Sequence, residues 1–412
     1  MTGRGTAAFG IRNVVADPVS GRIELHYDFD DASASFVERI ELPPSPDAQD
    51  SEAFQDAARL LLLVAGTSYY KSQAPAAIQI DVPTTQAERD LVSALYDHGL
   101  REFAYTNGLA VPLLEEIRWA GNPVPASASA STGSEAIGRP LVPFGGGKDS
   151  TVVLSLLPEA DAATVNPTTT HHDVARILGR ELIAVRRFVD QLDELTRPDR
   201  LNGHVPITAI VSSVCLALAV RDGFTSVVLA NEQAADEPTL ISDHPASAGR
   251  AVNHQWSKGA TFEALLDAAL VSRGIGVRYF SWLRDVSETD IIAILSGQTE
   301  ALGRLVSCNR AFAGRTTGAT SEAPQRWCGE CPKCVFTFLM LATRLSPEQL
   351  KSIFGADLLA TTERNGEFEA LWSEVKPLEC VGERSDAAGA MVALADDPRW
   401  AMHAAVVALH SS

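Results

Sequence analysis

The chain lacks any long apolar run. In 412 residues the longest apolar stretches are 60–66 and 211–220, far below the ~18 residues of a membrane-spanning helix. Residues 1–13 contain two arginines but no apolar segment, so they do not resemble a secretory signal peptide. Basic residues are also few, because 34 Lys and Arg stand against 52 Asp and Glu, a net charge of −18. We therefore expect a soluble, cytoplasmic protein that binds neither nucleic acid nor membrane.

Cysteine is scarce as well. Six cysteines in 412 residues cannot form a disulfide scaffold, and four of them fall between positions 308 and 334. A hydrophobic content of 46% with 21% charged residues excludes a disordered chain. The length predicts about two to three domains.

A stretch of small, polar and proline residues at 123–136 predicts a linker. The pattern of residues 1–122, which precede the linker, predicts a smaller N-terminal α+β domain. We expect this domain to clamp the substrate. Its strands follow from period-two alternation and its helices from helical spacing. These elements are strands at 23–29 and 36–42 and helices at 54–65 and 88–96, the first helix capped by Ser51.

Strand and helix patterns alternate after the linker, which predicts an α/β fold with a parallel sheet covered on both faces. Ligands of such sheets bind beyond the carboxyl ends of the strands. We assign 137–345 to this domain and 346–412 to a helical C-terminal segment. The predicted strands are 140–144, 162–166, 181–185, 226–229 and 277–282, and the predicted helices are 150–157, 174–179, 207–221, 261–273 and 289–296.

A glycine-rich loop separates the first strand and helix of this sheet. Three glycines permit close backbone approach, and the helix N-terminus adds N–H donors, so the loop suits a pyrophosphate group. Asp149 separates the lysine from the first hydroxyl residue, which rules out the Walker A motif. A strand–helix turn without a ligand is the alternative. The loop comprises Gly145, Gly146, Gly147, Lys148, Asp149, Ser150 and Thr151.

The loop resembles the S-G-G-x-D-S sequence of the ATP pyrophosphatase (PP-loop) enzymes, with Gly145 in place of the usual serine. The resemblance implies an adenine-nucleotide α-hydrolase-like fold, with ATP and Mg²⁺ as ligands. It also implies cleavage of ATP between its α and β phosphates, which activates a carboxylate or carbonyl as an adenylate.

Cys328, Cys331 and Cys334 form a C-x₂-C-x₂-C motif, and Cys308 precedes it. Four cysteines at this spacing favour a structural zinc site. An iron–sulfur cluster and free thiols remain alternatives, although position 338 is Phe where a bacterial ferredoxin run needs cysteine. A similar arrangement holds zinc in the PP-loop enzyme 7-cyano-7-deazaguanine synthase, which favours zinc here.

Five further stretches are polar where a core would be apolar. Together with the loop and the cysteines, they resemble the ATP-dependent UDP-N-acetylmuramoyl-L-alanyl-L-glutamate epimerase (MurL-type) family, over 97–382. That family inverts the terminal L-Glu of a cell-wall nucleotide dipeptide and releases AMP and pyrophosphate. The stretches are 201–206, 230–233, 252–258, 307–310 and 376–383.

The resemblance implies roles for several residues in these stretches. Asn231 and Lys258 are expected to contact ATP or substrate, and Arg310 to add positive charge. Lys148 would offset charge on the transferring phosphates, and Asp149 is assigned to catalysis with it. The candidates for exchange of the α-proton are Cys380, His204, Glu232 and His254. A buried apolar role is the alternative for Cys380.

Three alternatives stay open on the sequence alone. A PP-loop enzyme could transfer nitrogen or sulfur to the activated carbonyl instead, although the chain shows no glutaminase domain. It could epimerise a different peptide in secondary metabolism. The chain could also be a nucleotide-binding module without catalytic activity.

Overall fold

A computed structural model describes residues 7–127, 138–198, 200–308 and 327–410. Ten strands of these residues form one sheet in the order β12-β9-β6-β7-β8-β3-β2-β1-β4-β5, and β10 pairs with β11. The strands are β1 Phe9–Asp17, β2 Arg22–Phe29, β3 Ser35–Glu41, β4 Ala77–Ile80, β5 Glu116–Trp119, β6 Pro140–Pro143, β7 Asp161–Val165, β8 Leu182–Phe188, β9 Ser226–Leu229, β10 Leu240–Ile241, β11 Ala251–Val252 and β12 Arg278–Ser281.

Helices connect most of these strands and form the C-terminal region. The described α-helices are α1 Glu52–Ala65, α2 Thr67–Tyr70, α3 Gln86–Asp97, α4 Arg101–Thr106, α5 Lys148–Leu156, α6 Thr169–Ile177, α7 Leu192–Leu195, α8 Ile207–Asp222, α9 Ala260–Ser272, α10 Glu288–Ser296, α11 Thr299–Leu302, α12 Pro332–Ala342, α13 Pro347–Phe354, α14 Asn365–Glu369, α15 Arg384–Asp396 and α16 Ala404–His410.

Most of the large sheet is parallel, which confirms the predicted α/β class. β12, β9, β6, β7 and β8 run parallel to one another, as do β1, β4 and β5. The meander β1-β2-β3 and the β3–β8 pair are antiparallel. Parallel strands put their carboxyl ends at one edge, so β6, β7 and β9 open onto a common site.

Local chemistry explains where α1 begins and where α8 ends. The hydroxyl of Ser51 accepts the N–H of Phe54 at 3.1 Å, so Ser51 caps α1 as its sequence predicts. Helix α8 is apolar on nearly every face and is therefore buried in the core. It ends at Gly223, whose φ of 72° suits glycine.

The N-terminal strands join the parallel strands in one sheet. β3 pairs with β8 through Ile40 and Arg187, and α1 packs on α8 in a shared hydrophobic core. Residues 128–136 of the predicted linker lie outside the described residues, so the division into domains stays a prediction. Within the described ranges, no helix is both long and apolar enough to cross a bilayer.

A buried ion pair holds the junction of the two parts. Arg187 Nε lies 2.8 Å from Glu38 Oε1, and the Glu38 side chain is fully buried. The same guanidinium donates to Ser68 Oγ at 2.8 Å. Because β3 and β8 meet here, the pair fixes one half of the sheet to the other.

Replacing Glu38 with alanine should strongly destabilise the protein, because Arg187 would remain as a buried, unpaired charge. We expect Glu38→Ala to lower the free energy of unfolding by about 3–5 kcal/mol in urea titrations. Glu41→Ala is the matched control, since Glu41 pairs with Arg39 in an exposed part of the same strand. That variant should cost less than about 1 kcal/mol. Equal losses would contradict the assigned role of the buried pair.

Candidate active site

A cavity of about 290 Å³ lies at the carboxyl ends of β6, β7 and β9. The glycine loop forms one wall, and residues that follow β9 form another. This is the edge of the sheet where the sequence predicts ligand binding. Residues from both walls that line the cavity include Gly145, Gly147, Asp149, Ser150, Asn231 and Lys258.

The backbone of the glycine loop is held against residues 306–307. Gly146 has a φ of 68°, a left-handed conformation, and its carbonyl accepts the N–H of Val306 at 3.2 Å. A Cβ on Gly147 would lie 2.7 Å from Ser307 Oγ, so this position needs glycine. Ser307 Oγ also accepts the N–H of Lys148 at 3.2 Å. The loop is therefore preformed beside the cavity.

Three carboxylates surround the buried ammonium of Lys148. Its Nζ lies 2.9 Å from Glu288 Oε2 and 3.3 Å from Glu232 Oε1, and it also contacts Asp149. Ligand oxygens of the three acids lie within 4.8 Å of one another. The arrangement places more negative than positive charge in a buried space.

The excess of negative charge changes the protonation of these acids. Burial and the neighbouring Glu232 raise the pKa of Glu288 well above its usual range, despite the opposing charge of Lys148. Glu288 Oε1 is buried without a hydrogen-bond partner among the described residues. A divalent cation prefers carboxylate oxygens and would satisfy this group. The acids therefore fit a Mg²⁺ ion.

A second cluster surrounds Cys380 in the segment between α14 and α15. Lys258 Nζ lies 3.3 Å from the Cys380 sulfur, and His254 is close enough to lower the pKa of the thiol. Glu102 Oε2 lies 2.6 Å from His254 Nδ1. The ring centroid of His204 lies 4.5 Å from that of His254. Lys258 belongs both to this cluster and to the cavity lining.

The charges of this cluster favour a thiolate and an imidazolium. Burial opposes ionisation of Cys380, but Lys258 and His254 outweigh it and lower the pKa of the thiol to about 5. Burial also opposes protonation of His254, yet its hydrogen bonds to Cys380 and Glu102 raise its pKa to about 9. Burial and the charge of His254 lower the pKa of His204 to about 4, so His204 is neutral at pH 7.

The four clustered cysteines lie together, as their spacing predicts. Sγ of Cys308 is 3.9 Å from that of Cys331, and Sγ of Cys328 is 3.7 Å from that of Cys334. A tetrahedral site with Zn–S bonds near 2.3 Å has S–S edges of about 3.8 Å. The geometry and the donor set therefore fit a zinc ion.

Other predicted residues occupy different positions. Thr151 is fully buried in α5 and does not line the cavity, and its hydroxyl has no hydrogen-bond partner within the described ranges. Arg310 lies outside the described residues. Cys215 is fully buried in α8, as its apolar surroundings predict. Residues 256–258, which include Lys258, form a short 3₁₀ turn.

Comparison with known families decides the affiliation of the chain. Residues 1–282 match the model of the MurL N-terminal domain, and residues 304–412 match that of the MurL C-terminal domain. The chain belongs to the MurL family. The resemblance seen in the sequence is thereby confirmed.

Curated relatives of this MurL-family chain carry the name UDP-N-acetyl-α-D-muramoyl-L-alanyl-L-glutamate epimerase. The relative from Micromonospora sp. is 38% identical over 383 residues, which cover 90% of this chain and 82% of the relative. That from Salinispora tropica is 37% identical over 90% of this chain and 80% of its own length. That from Xanthomonas oryzae pv. oryzae is 36% identical over 95% and 86%. No solved structure matches the chain significantly.

The structure of this MurL-family chain places residues at the site that the sequence did not predict. Glu288 begins α10, one residue before the predicted start of that helix, and it completes the carboxylate cluster. Ser307 lies in the 307–310 stretch, and Glu102 lies in the wider 97–382 range of the family resemblance. Lys333 sits within the cysteine motif and lines the cavity.

The stability contributed by the Glu102–His254 pair should depend on pH. The folded pKa of His254 is about 9, above its ordinary value of 6.5. The stabilisation is therefore complete below pH 6.5 and is lost as pH rises through 9. We expect Glu102→Gln to lower the free energy of unfolding by about 1–2 kcal/mol at pH 6 and far less at pH 10, in urea titrations. A pH-independent difference would contradict the ion pair.

Proposed function

We propose that the chain converts the terminal L-Glu of UDP-N-acetylmuramoyl-L-alanyl-L-glutamate to D-Glu, in an ATP-dependent step of peptidoglycan precursor synthesis. The reaction would proceed through an acyl-adenylate and release AMP and pyrophosphate. A cytoplasmic location is part of the proposal, because the reaction would consume ATP. One observation carries the proposal: Lys258 both lines the cavity beside the glycine loop and contacts the Cys380 sulfur. A site for activating a carboxylate thus adjoins a site for moving a proton.

Activation by ATP has a clear physical purpose. Removing the α-proton beside a free carboxylate would build a dianion, which is very costly in a buried site. Adenylation neutralises that carboxylate, so the carbanion can delocalise into the acyl carbonyl as an enolate. Fixed positive groups can then stabilise the enolate.

The glycine loop is proposed to bind the phosphates of ATP. Its position between β6 and the N-terminus of α5 supports a PP-loop arrangement, because the helix N-terminus presents unpaired N–H groups to an anion. Gly145, Gly147 and Ser150 face the cavity, and Asn231 lies on its opposite wall. Lys148, at the first position of α5, would compensate charge on the transferring phosphates.

Asp149, Glu232 and Glu288 would hold Mg²⁺, a role that their shared space and the unpartnered Glu288 oxygen support. The ion would neutralise phosphate charge when bound. His204, Glu232 and Cys380 are the proposed candidates for proton exchange. The N-terminal region is proposed to clamp the substrate, which the position of Glu102 in the Cys380 cluster supports.

Incubation of the purified protein with the L,L-dipeptide nucleotide, ATP and Mg²⁺ tests the proposal. We expect D-Glu and AMP in equal amounts by chiral chromatography and nucleotide analysis. Lys148→Ala should lower kcat/KM for AMP formation by about 100-fold or more, because an ammonium beside the phosphates is lost. Lys351→Ala, on the exposed surface of α13, is the control and should leave the rate unchanged.

Two results would contradict this function. Glutamate that stays L without AMP formation would exclude the epimerase reaction on this substrate. AMP formation without inversion would favour transfer chemistry of another PP-loop enzyme. Trials with other peptides ending in L-Glu would then separate a different epimerase from a transferase.

The four-cysteine site is proposed to hold structural zinc, since four protein ligands leave no open coordination position. We expect about one zinc per chain by elemental analysis. Cys331→Ser should lose most of the metal and unfold at a lower temperature, because metal binding contributes to folding. Cys215→Ala should keep its zinc. Iron with visible absorbance would instead indicate an iron–sulfur cluster.

A further inference from the structure

The proposed function leaves open which group removes the α-proton. We propose that Cys380 is this base, and that His254 and Glu102 are positioning residues that hold its sulfur as a thiolate. The assignment rests on the proposed function, because it requires an activated glutamyl residue beside Lys258.

The geometry joins three distant parts of the chain. Cys380 belongs to the loop before α15, His254 to the turn after β11, and Glu102 to α4 of the N-terminal region. Glu102 Oε2 lies 2.6 Å from Nδ1 of His254, and the charge of His254 acts on Cys380, whose sulfur Lys258 contacts at 3.3 Å. The thiol, the imidazole and the carboxylate correspond to the nucleophile, the base and the orienting group of an activated thiol.

The loop that carries Cys380 is firmly attached on both sides of the sulfur. Lys376, buried in the same loop, donates to Glu237 Oε2 at 2.7 Å and to the carbonyl of Gly382 at 2.8 Å. A Cβ on Gly382 would lie 2.4 Å from the ring of Phe336 in α12, so the loop packs closely on that helix. The thiol is therefore held in place independently of substrate.

Charged groups on every side of the sulfur determine its ionisation. Lys258, His254 and Lys333 act as cations on Cys380, and Glu379 is the neighbouring anion. His254 itself faces Glu102 and His204, besides the thiol. Cations outnumber the nearby anion, so a thiolate is favoured at neutral pH, in agreement with a Cys380 pKa of about 5.

The proposed step is a proton transfer. The Cα–H bond of the acyl-adenylate breaks, the proton forms an S–H bond with Cys380, and the electron pair delocalises onto the acyl oxygen. Water then gives a proton to the opposite face of the carbon, and the hydroxide left behind takes the proton from the S–H of Cys380, which restores the thiolate. A second water hydrolyses the acyl–adenylate bond, so that AMP leaves and the product is the D-Glu carboxylate. The negative charge moves from sulfur to enolate while the ammonium of Lys258 stays close to both, so the site needs no new counter-charge.

Glu232 suits the base role less well than Cys380 does. Its carboxylate contacts the Lys148 ammonium, and Lys148 and Lys258 lower its pKa to about 2 in spite of burial. It also shares its space with Asp149 and Glu288. These contacts fit a group that binds a cation.

The first arm of the test measures the thiolate directly. Iodoacetamide labelling of Cys380, followed by peptide mass mapping over a pH series, should show a midpoint near pH 5. Glu102→Gln and His254→Gln should raise that midpoint by about one unit or more, as loss of a partner ion does. Cys215 is an internal control, because burial raises the pKa of its thiol to about 12.

The second arm measures the chemistry in D₂O. Cys380→Ala should retain exchange of labelled pyrophosphate into ATP within about threefold, which also shows that the variant folds. Its inversion and α-deuterium uptake should fall by about 100-fold or more, the usual contribution of a general base. Glu102→Asp should recover more inversion than Glu102→Gln, with the acid limb of the pH profile restored.

Two results would overturn the assignment. Inversion by Cys380→Ala at a rate close to that of the unmodified protein would remove Cys380 from the step. A labelling midpoint near pH 8.5, unmoved by Glu102→Gln, would remove the positioning residues. Absence of substrate-dependent pyrophosphate exchange in the unmodified protein would contradict the proposed function itself, which is a separate result.

Discussion

The half-buried ammonium of Lys258 is the charge that the two candidate sites share. It lies 3.3 Å from the Cys380 sulfur, and the negative charges of Asp149 and Glu232 also raise its pKa in spite of burial. A thiolate and three carboxylates in one water-poor region would carry a high electrostatic cost without cations. Lys148 offsets the charge of the carboxylates, and Lys258 interacts with Asp149, Glu232 and Cys380, so the two clusters can lie side by side.

The same constraint bears on how a chain of acidic net charge could bind the anionic substrates proposed for it. The net charge of −18 describes the whole molecule, whereas binding depends on the potential inside the cavity. Lys258 and Lys333 line that cavity, and the preformed glycine loop adds backbone N–H groups. These groups supply positive charge locally, beside the carboxylates of the same site.

A feature could be predicted from the sequence when the residues that form it lie close together along the chain. The glycine loop and the C-x₂-C-x₂-C motif are contiguous, so their chemistry is readable from spacing alone. Glu102 and His254 are 152 positions apart and meet only after folding. The alternation that predicts the parallel strands is local as well. The β3–β8 pairing that unites the two parts of the sheet is not, since antiparallel partners so distant carry no sequence signature.

The cysteine cluster also affects the proposed base, because α12 connects the cluster to the loop that carries Cys380. That helix begins directly after Cys331, and its second residue, Lys333, both lines the cavity and acts as a cation on Cys380. The backbone N–H of Lys333 donates to Glu379 at 3.3 Å, which fixes the residue preceding Cys380. Further along the helix, Phe336 packs against Gly382. An ion bound by the four cysteines would fix the start of α12, and with it a positive charge and two contacts of the Cys380 loop. The geometry of the thiolate is therefore tied to a site that takes no part in the chemistry itself.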